Sequence, residues 1–247
     1  MRNICLVISY DGTYYCGFQS QPHRNTVQDK LEDALEKLTG EQIKVHSSGR
    51  TDTGVHARAQ VINFITESSI PIERWGLAMN VRLPEDIRVI QSREVPLDFH
   101  SRKSAKRKTY RYTINIDRNP DVFQRHYQLH HYRPLNLDNM ESALQYLIGE
   151  HDFKSFCTVR TDKNVFVRTI YDARMIRESD TVVHIMITGN GFLYNMVRII
   201  IGTLLQIGEG KRKSIDMLEI LHARDRSKAG PKAPAHGLML WEVSYDE

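Results

Sequence analysis

The stretch SSGRTDTGVHARAQ, residues 47–60, sets Arg50 and Asp52 two residues apart between Gly49 and Gly54, just before the apolar-rich run VINFIT. Glycine permits backbone angles closed to other residues and lets a ligand approach the main chain. A charged pair in such a bend can therefore be presented to a partner. A carboxylate there is ionised at neutral pH, aspartate having an ordinary pKa of about 3.9, and can serve as a nucleophile that leaves again. The plainer reading of Asp52 is an Asx-turn residue in a polar surface bend. The triplet RTD returns at 160–162 in TVRTDKNVF, without flanking glycines. The first copy is shaped for a close partner; the second, with Asp162, reads as an ordinary or vestigial loop.

A partner is suggested by the distribution of charge rather than its sum. The formal net charge of +4 is only mildly basic, but SRKSAKRKTYRY gathers Arg102, Lys103, Lys106, Arg107, Lys108 and Arg111 in one stretch. Further basic clusters are GKRKS at 210–214 and HARDRSKAGPK at 222–232. Each alone is a solvated face. Interleaved with Tyr110 and Tyr112, the first points to a polyanion, because lysine and arginine offset phosphate charge and aromatic faces stack on bases.

The remaining bulk features bound the class. With 40% hydrophobic and 26% charged residues among 247, the chain has an ordinary globular balance and length for one large or two smaller domains. The apolar stretch in MRNICLVISYDG is too short to span a bilayer and lacks a signal peptide's layout, so no membrane association is expected. Three scattered cysteines (Cys5, Cys16, Cys157) suggest reduced thiols and a cytoplasmic setting. No C-x-x-C or H-E-x-x-H spacing supports a metal site.

The elements that must position the loop follow from periodicity. Strands are expected at Ile4–Tyr10, Ile43–His46, Gln60–Ile65 and Ile87–Val95. Helices are expected at Val27–Leu38, capped by Thr26, and around Glu73–Met79. The second half reads as strands at Thr109–Ile116, Val167–Ile176, Val182–Thr188 and Leu238–Tyr245, with helices at Leu137–Ile148, Leu193–Gln206 and Ile215–His222. Both halves run β-α-β-β-α-β, the second with one extra helix. ALEKLTGE at 34–41 returns as ALQYLIGE at 143–150, at nearly the offset of the two RTD triplets. The expected fold is α+β: two duplicated split β-α-β, ferredoxin-like halves, 1–104 and 105–247, joined into one mostly antiparallel sheet. Helices would cover one face, leaving the other for a central catalytic cleft.

Longer segments carry a resemblance. YDGTYYCGFQ, QPHRNTVQDKLEDAL, GRTDTGVHARAQV, FHSRKSAKRKTYRYTI, HDFKSF, RTI at 168–170, GNGFLYNMVRIIIGTLLQIGEGK and APAHGLML together resemble the tRNA pseudouridine synthase I family over nearly the whole chain. Members of that family isomerise uridines of the tRNA anticodon stem-loop. Departures are Phe18 where tryptophan is usual, Ala59 where glycine is usual, and Asn195 where histidine is common.

The resemblance implies a reaction that detaches uracil at N1, rotates it and reattaches it through C5 at positions 38, 39 or 40, with no cofactor. It implies Asp52 as nucleophile, either attacking C1′ or first promoting elimination to a glycal. Arg198, in FLYNMVR, matches the position expected to pair with Asp52; an unpaired charge in so apolar a neighbourhood would be costly to bury. Tyr110 matches the active-site tyrosine, stacking on the base and helping to move the C5 proton, although it also alternates with Tyr112 and Ile114 as a core strand residue would. Leu238, or Leu240, would wall the pocket. Arg50 would fill the space left by the extruded nucleotide or hold its phosphate. His56 and Arg58 would contact RNA or orient the loop. The implied partners are tRNA and a second copy of the chain in a homodimer.

Two rivals stand beside this reading. A catalytically inactive tRNA-binding or folding protein would lack the nucleophile or its arginine, and both are present. A hydrolytic glycosidase needs a second acid near Asp52. The loop offers basic neighbours only, and Glu67 lies beyond the next strand.

Overall fold

The computed structural model describes residues 1–22, 25–158 and 165–245. The expectation for Arg160 and Asp162 therefore lies outside the described residues, as do His23 and Arg24 of the QPHRNTVQ segment. By contacts the chain divides into two compact units: residues 1–106 with the segment from Met239, and residues 107–238.

In the first unit, β1 (Arg2–Tyr10) leads into α1 (Val27–Thr39), β2 (His46–Ser47), β3 (His56–Thr66), α2 (Trp75–Asn80) and β4 (Ile87–Val95). β1 lies antiparallel between β4 and β3, and β2 pairs with β3. The order β4-β1-β3-β2 is that of a split β-α-β unit. Alternate residues Ile4, Leu6 and Ile8 of β1 are fully buried, as are Ile62 and Phe64 of β3, Leu31 and Leu35 of α1, and Trp75. Phe64 meets Trp75 edge-on at 5.3 Å. Each such side chain contributes about 1.5–3 kcal/mol by leaving water. Thr26 caps α1 in a capping box: its hydroxyl accepts from Asp29 N–H, and the Asp29 carboxylate accepts from the Thr26 amide.

The second unit runs β5 (Arg107–Asn115), β6 (Leu129–His130), α3 (Leu137–Gln145), β7 (Gly149–Asp152), β8 (Val167–Arg177), β9 (Val182–Gly189), α4 (Met196–Gly208) and α5 (Asp216–Ala223). β9 lies antiparallel between β5 and β8. This repeats the β1-β3-β2 succession of the first unit, strand for strand, and is the structural counterpart of the sequence repeat. β7 extends β8, and β6 runs parallel to β5. The last strand, β10 (Leu238–Ser244), pairs in parallel with β3 through Met239 and Leu240. Read from the sequence within the second half, it contributes a hydrogen-bonded edge to the first. Period-two patterning identifies a strand but not its neighbour. The fold class is thus α+β with mostly antiparallel pairing. No helix among the described residues is long and apolar enough to cross a membrane.

Four differences from the expected elements have local causes. The strand expected at Ile43–His46 shrinks to His46–Ser47, because the Val45 amide donates to Glu32 Oε1 of α1 instead of to a neighbouring strand. β3 starts at His56, four residues earlier than expected, which moves His56 and Arg58 out of the loop and onto the strand. α4 starts at Met196 rather than Leu193, since Asn195 takes a left-handed conformation at φ 61°. α3 ends at Gln145, where Leu147 and Ile148 close back on Leu144 and Gln145 by amide bonds of single turns.

Candidate active site

The loop from Ser48 to Val55 is held at its base, its middle and its far end. At the base, Ser48 and Gln60 are completely buried; the Ser48 hydroxyl donates to Gln60 Oε1, and Gln60 Nε2 donates to the Gly49 carbonyl at 2.7 Å. In the middle, Thr51 is buried: its hydroxyl bonds Tyr10 at 2.8 Å, and its carbonyl accepts the Phe18 amide at 3.1 Å. At the far end, Val55 N–H closes a turn on the Asp52 carbonyl at 3.1 Å, with Gly54 at φ 76° in the third place, where a side chain would be strained. The YDG segment comes up against this end so closely that a Cβ on Gly12 would sit 2.1 Å from the Val55 carbonyl oxygen. Asp52 itself stays half-buried. Buried neutral groups thus fix the backbone of the bend that carries exposed Arg50 and half-buried Asp52.

His56 is 1% exposed. Its Nδ1 accepts the Gly12 amide at 3.0 Å, with Asp11 Oδ1 at 3.1 Å from the same nitrogen. A neutral ring accepts from Gly12; a protonated one donates to Asp11. Of the two roles open to His56, this burial fits orientation of the loop. Arg58 is exposed, its guanidinium 4.3 Å over the Trp241 ring of β10. Between the Ile8–Gln60 and Tyr10–Ala57 pairs β3 carries one more residue than β1, a bulge at Arg58–Ala59. Bulges re-aim side chains beside functional sites. Arg50 is exposed and lines a cavity of about 530 Å³ in the same unit, with His100, Arg102 and Lys103.

In the second unit, Tyr110 and Tyr112 lie two apart on β5, opposite Ile187 and Ile185 of β9. Tyr110 is 8% exposed and meets the Phe192 ring edge-on at 5.0 Å, which fixes the plane of its ring. Arg198, in the first turn of α4, is buried: its Nε donates to the Ala233 carbonyl at 2.8 Å, and an Nη faces Asn195 Oδ1 at 3.4 Å. Asn195 also donates from Nδ2 to Thr158 at 2.8 Å. The chain from Pro231 to Leu238 runs past both groups. A Cβ on Gly202 of α4 would lie 1.7 Å from the Pro231 carbonyl oxygen. Tyr112 donates to the Pro234 carbonyl at 2.9 Å, and Leu238 follows, buried. Burial pushes the Tyr112 hydroxyl upward in pKa, and the Arg198 charge partly offsets it. The structure thus gathers Arg198, Asn195, Tyr112 and the 233–238 segment, with Tyr110 one strand step away.

Sequence reasoning missed Gln60, Tyr10, Phe192 and the part played by Asn195. A glutamine inside the apolar strand run QVINFIT was the available signal for the first. Asn195 was visible only as a departure from the family pattern; its Oδ1 faces the Arg198 guanidinium.

The sequence model of tRNA pseudouridine synthases matches residues 6–102 and 143–246. The chain belongs to that family. A tRNA pseudouridine synthase A of Anoxybacillus flavithermus is 49% identical over 247 residues, covering the whole of both chains. The corresponding protein of Bacillus subtilis is 50% identical over 248 residues, again over both full lengths. A solved Cbf5-Nop10-Gar1 complex aligns at 11% identity and a TM-score of 0.34, over 82% of this chain and 45% of the other. The tRNA pseudouridine synthases are isomerases, and the chain is an enzyme of that class.

Proposed function

We propose that the protein converts uridine to pseudouridine at positions 38, 39 and 40 of the tRNA anticodon stem-loop, with Asp52 as nucleophile. The observation that carries this reading is the GRTD loop of a tRNA pseudouridine synthase chain, its backbone braced by buried Tyr10, Thr51 and Gln60 while Asp52 stays half-buried. Bonds to the backbone around Asp52 hold the nucleophile in place for the substrate.

The chemistry balances without an external reagent. The N1–C1′ bond breaks, either by Asp52 adding to C1′ or through a glycal. The uracil turns, C5 bonds C1′, C5 gives up its proton and N1 ends protonated. Tyr110 stacks on the base and takes the C5 proton directly or through water. Arg198 pairs with Asp52 and offsets its charge beneath the base. Arg50 occupies the gap left by the flipped nucleotide, an extrusion that costs a few kcal/mol. Leu238 walls the uracil, Arg58 meets RNA, and His56 sets the loop. In this assignment the N-terminal half supplies the acid and the C-terminal half the arginine and tyrosine. The protein acts in the cytoplasm as a homodimer.

Unmodified tRNA transcripts incubated with the protein and mapped by carbodiimide labelling test the reading. Label at anticodon-arm uridines is expected; no signal at any of them would overturn it.

A further inference from the structure

The cavity beside Arg50 has a construction that the catalytic assignment does not use. Its wall includes Gln28, His46, Arg50, His100, Arg102 and Lys103, and no carboxylate is among its described lining residues. An acid tied to the wall is Glu32, whose Oε1 accepts Gln28 Nε2 and the Val45 amide. Asp98 is exposed two residues before His100. The rings of His46 and His100 lie 4.7 Å apart. Two imidazoles and three permanent cations around one space form a concentration of positive charge that an anion would relieve.

The segment carrying three of these groups has no regular structure, yet it is firmly held. Asn3 of β1 and Asn63 of β3 are buried. Asn3 Nδ2 donates to the carbonyls of Pro96 and Phe99, and Asn63 Oδ1 accepts the Ser101 amide at 2.9 Å. The Ser101 hydroxyl donates to the His46 carbonyl at 2.9 Å, and Tyr245 donates to the Ser101 carbonyl at 2.8 Å. This brace sets His100, Arg102 and Lys103 over β2 without using their charged ends. The Arg102 amide donates to His100 Nδ1 at 3.1 Å, so the His100 proton resides on Nε2, a donor. Burial and the charges of His46, Lys103 and Arg102 hold its pKa down, and protonating Nδ1 would break the Arg102 bond.

We propose that this cavity binds a backbone phosphodiester of the tRNA strand beside the target nucleotide. The proposal rests on the tRNA reading above. Arg50 is shared between the cavity and the Asp52 loop, and two residues span at most about 7 Å, so the phosphates concerned are those flanking the flipped base. Contacts of this kind position a nucleic acid without reading its sequence.

The test uses Asp52→Asn protein, which holds tRNA without turnover, and an unmodified tRNA transcript, with Kd measured against salt. Arg102→Gln with Lys103→Gln should weaken binding and lower the slope of log K against log salt by about 1.4–1.8, at roughly 0.7–0.9 per phosphate contact. His46→Gln should weaken binding as well; its backbone carbonyl, which holds Ser101, is unchanged. A parental affinity and salt slope in both variants would overturn the proposal. Failure of the Asp52→Asn parent to bind tRNA at all would instead strike the tRNA reading, and the cavity assignment with it.

Discussion

Tyr10 ends the first strand of one half and Tyr112 sits in the first strand of the other; both are buried, and each sends its hydroxyl into a loop. Tyr10 meets the Thr51 hydroxyl, one residue before Asp52, and burial pushes its pKa up to about 12 against the opposing bonds from Thr51 and Gln60. Tyr112 meets the Pro234 carbonyl, one residue after the carbonyl that receives Arg198. The duplicated plan thus uses one device twice, but different forces complete it. Around the acid, the loop is fixed by hydrogen bonds among buried neutral groups. Around the base, it is fixed by main chain pressed onto a helix at Gly202. Polar bonds set the loop that carries a half-buried carboxylate; close packing sets the segment beside a buried guanidinium.

The harshest way to break the comparison is at the acid. Asp52→Asn should lower pseudouridine formation by about 10⁴-fold or more, the scale of losing a nucleophile, while tRNA still binds in a gel-shift assay. Full activity in this variant would mean that the chemistry belongs elsewhere. At the base, Arg198→Lys keeps the charge but offers one nitrogen where the guanidinium uses two, on Ala233 and Asn195. A fall in kcat of about 10²-fold is expected, with KM little changed. An unchanged kcat would separate Arg198 from the acid.

Much of this arrangement was legible because it is written locally. The glycines and charges around Asp52 lie within one octapeptide, and Thr26 with Asp29 spells its own helix cap. What was hidden depends on distant partners. Nothing near Val45 announces that its amide goes to Glu32, so a strand was expected there. β7 reads GEHD, with no apolar alternation to mark it, and exists because β8 offers an edge. His56 looked like a loop residue until β3 proved to start there. The brace under His100 needs Asn3, Asn63 and Tyr245, which are far apart in sequence and individually unremarkable.

A smaller effect sharpens the contrast between the two tyrosines. Tyr10→Phe removes a bond whose two ends are both buried, leaving the Thr51 hydroxyl without it. Tyr112→Phe frees a carbonyl on Pro234, an exposed residue that water can reach. An unsatisfied buried polar group costs about 1–3 kcal/mol, and a resolvated one less. Urea denaturation should therefore rank Tyr10→Phe as the more destabilising, by about 1 kcal/mol. Equal losses would mean that the two loops are held alike.

The smallest effect concerns the second half alone. His184 of β9 is 9% exposed, with Nδ1 on the Thr113 hydroxyl at 3.1 Å and Nε2 2.9 Å from Glu178. Its pKa is lowered, first by burial and then by Arg111, with Glu178 opposing. A histidine harder to protonate when folded lets the unfolded chain bind more protons as pH drops, so stability falls as pH passes down through the unfolded value of about 6.5. His131 is lowered for the same first reason, burial. The urea midpoint should decline from pH 7.5 to pH 5.5, and His184→Gln should make that decline shallower. A steeper decline in the variant would mean that Glu178 outweighs burial and that the folded state favours the imidazolium. The second half would then hold a charge pair between buried His184 and exposed Glu178, where Tyr10 and Thr51 share a neutral bond.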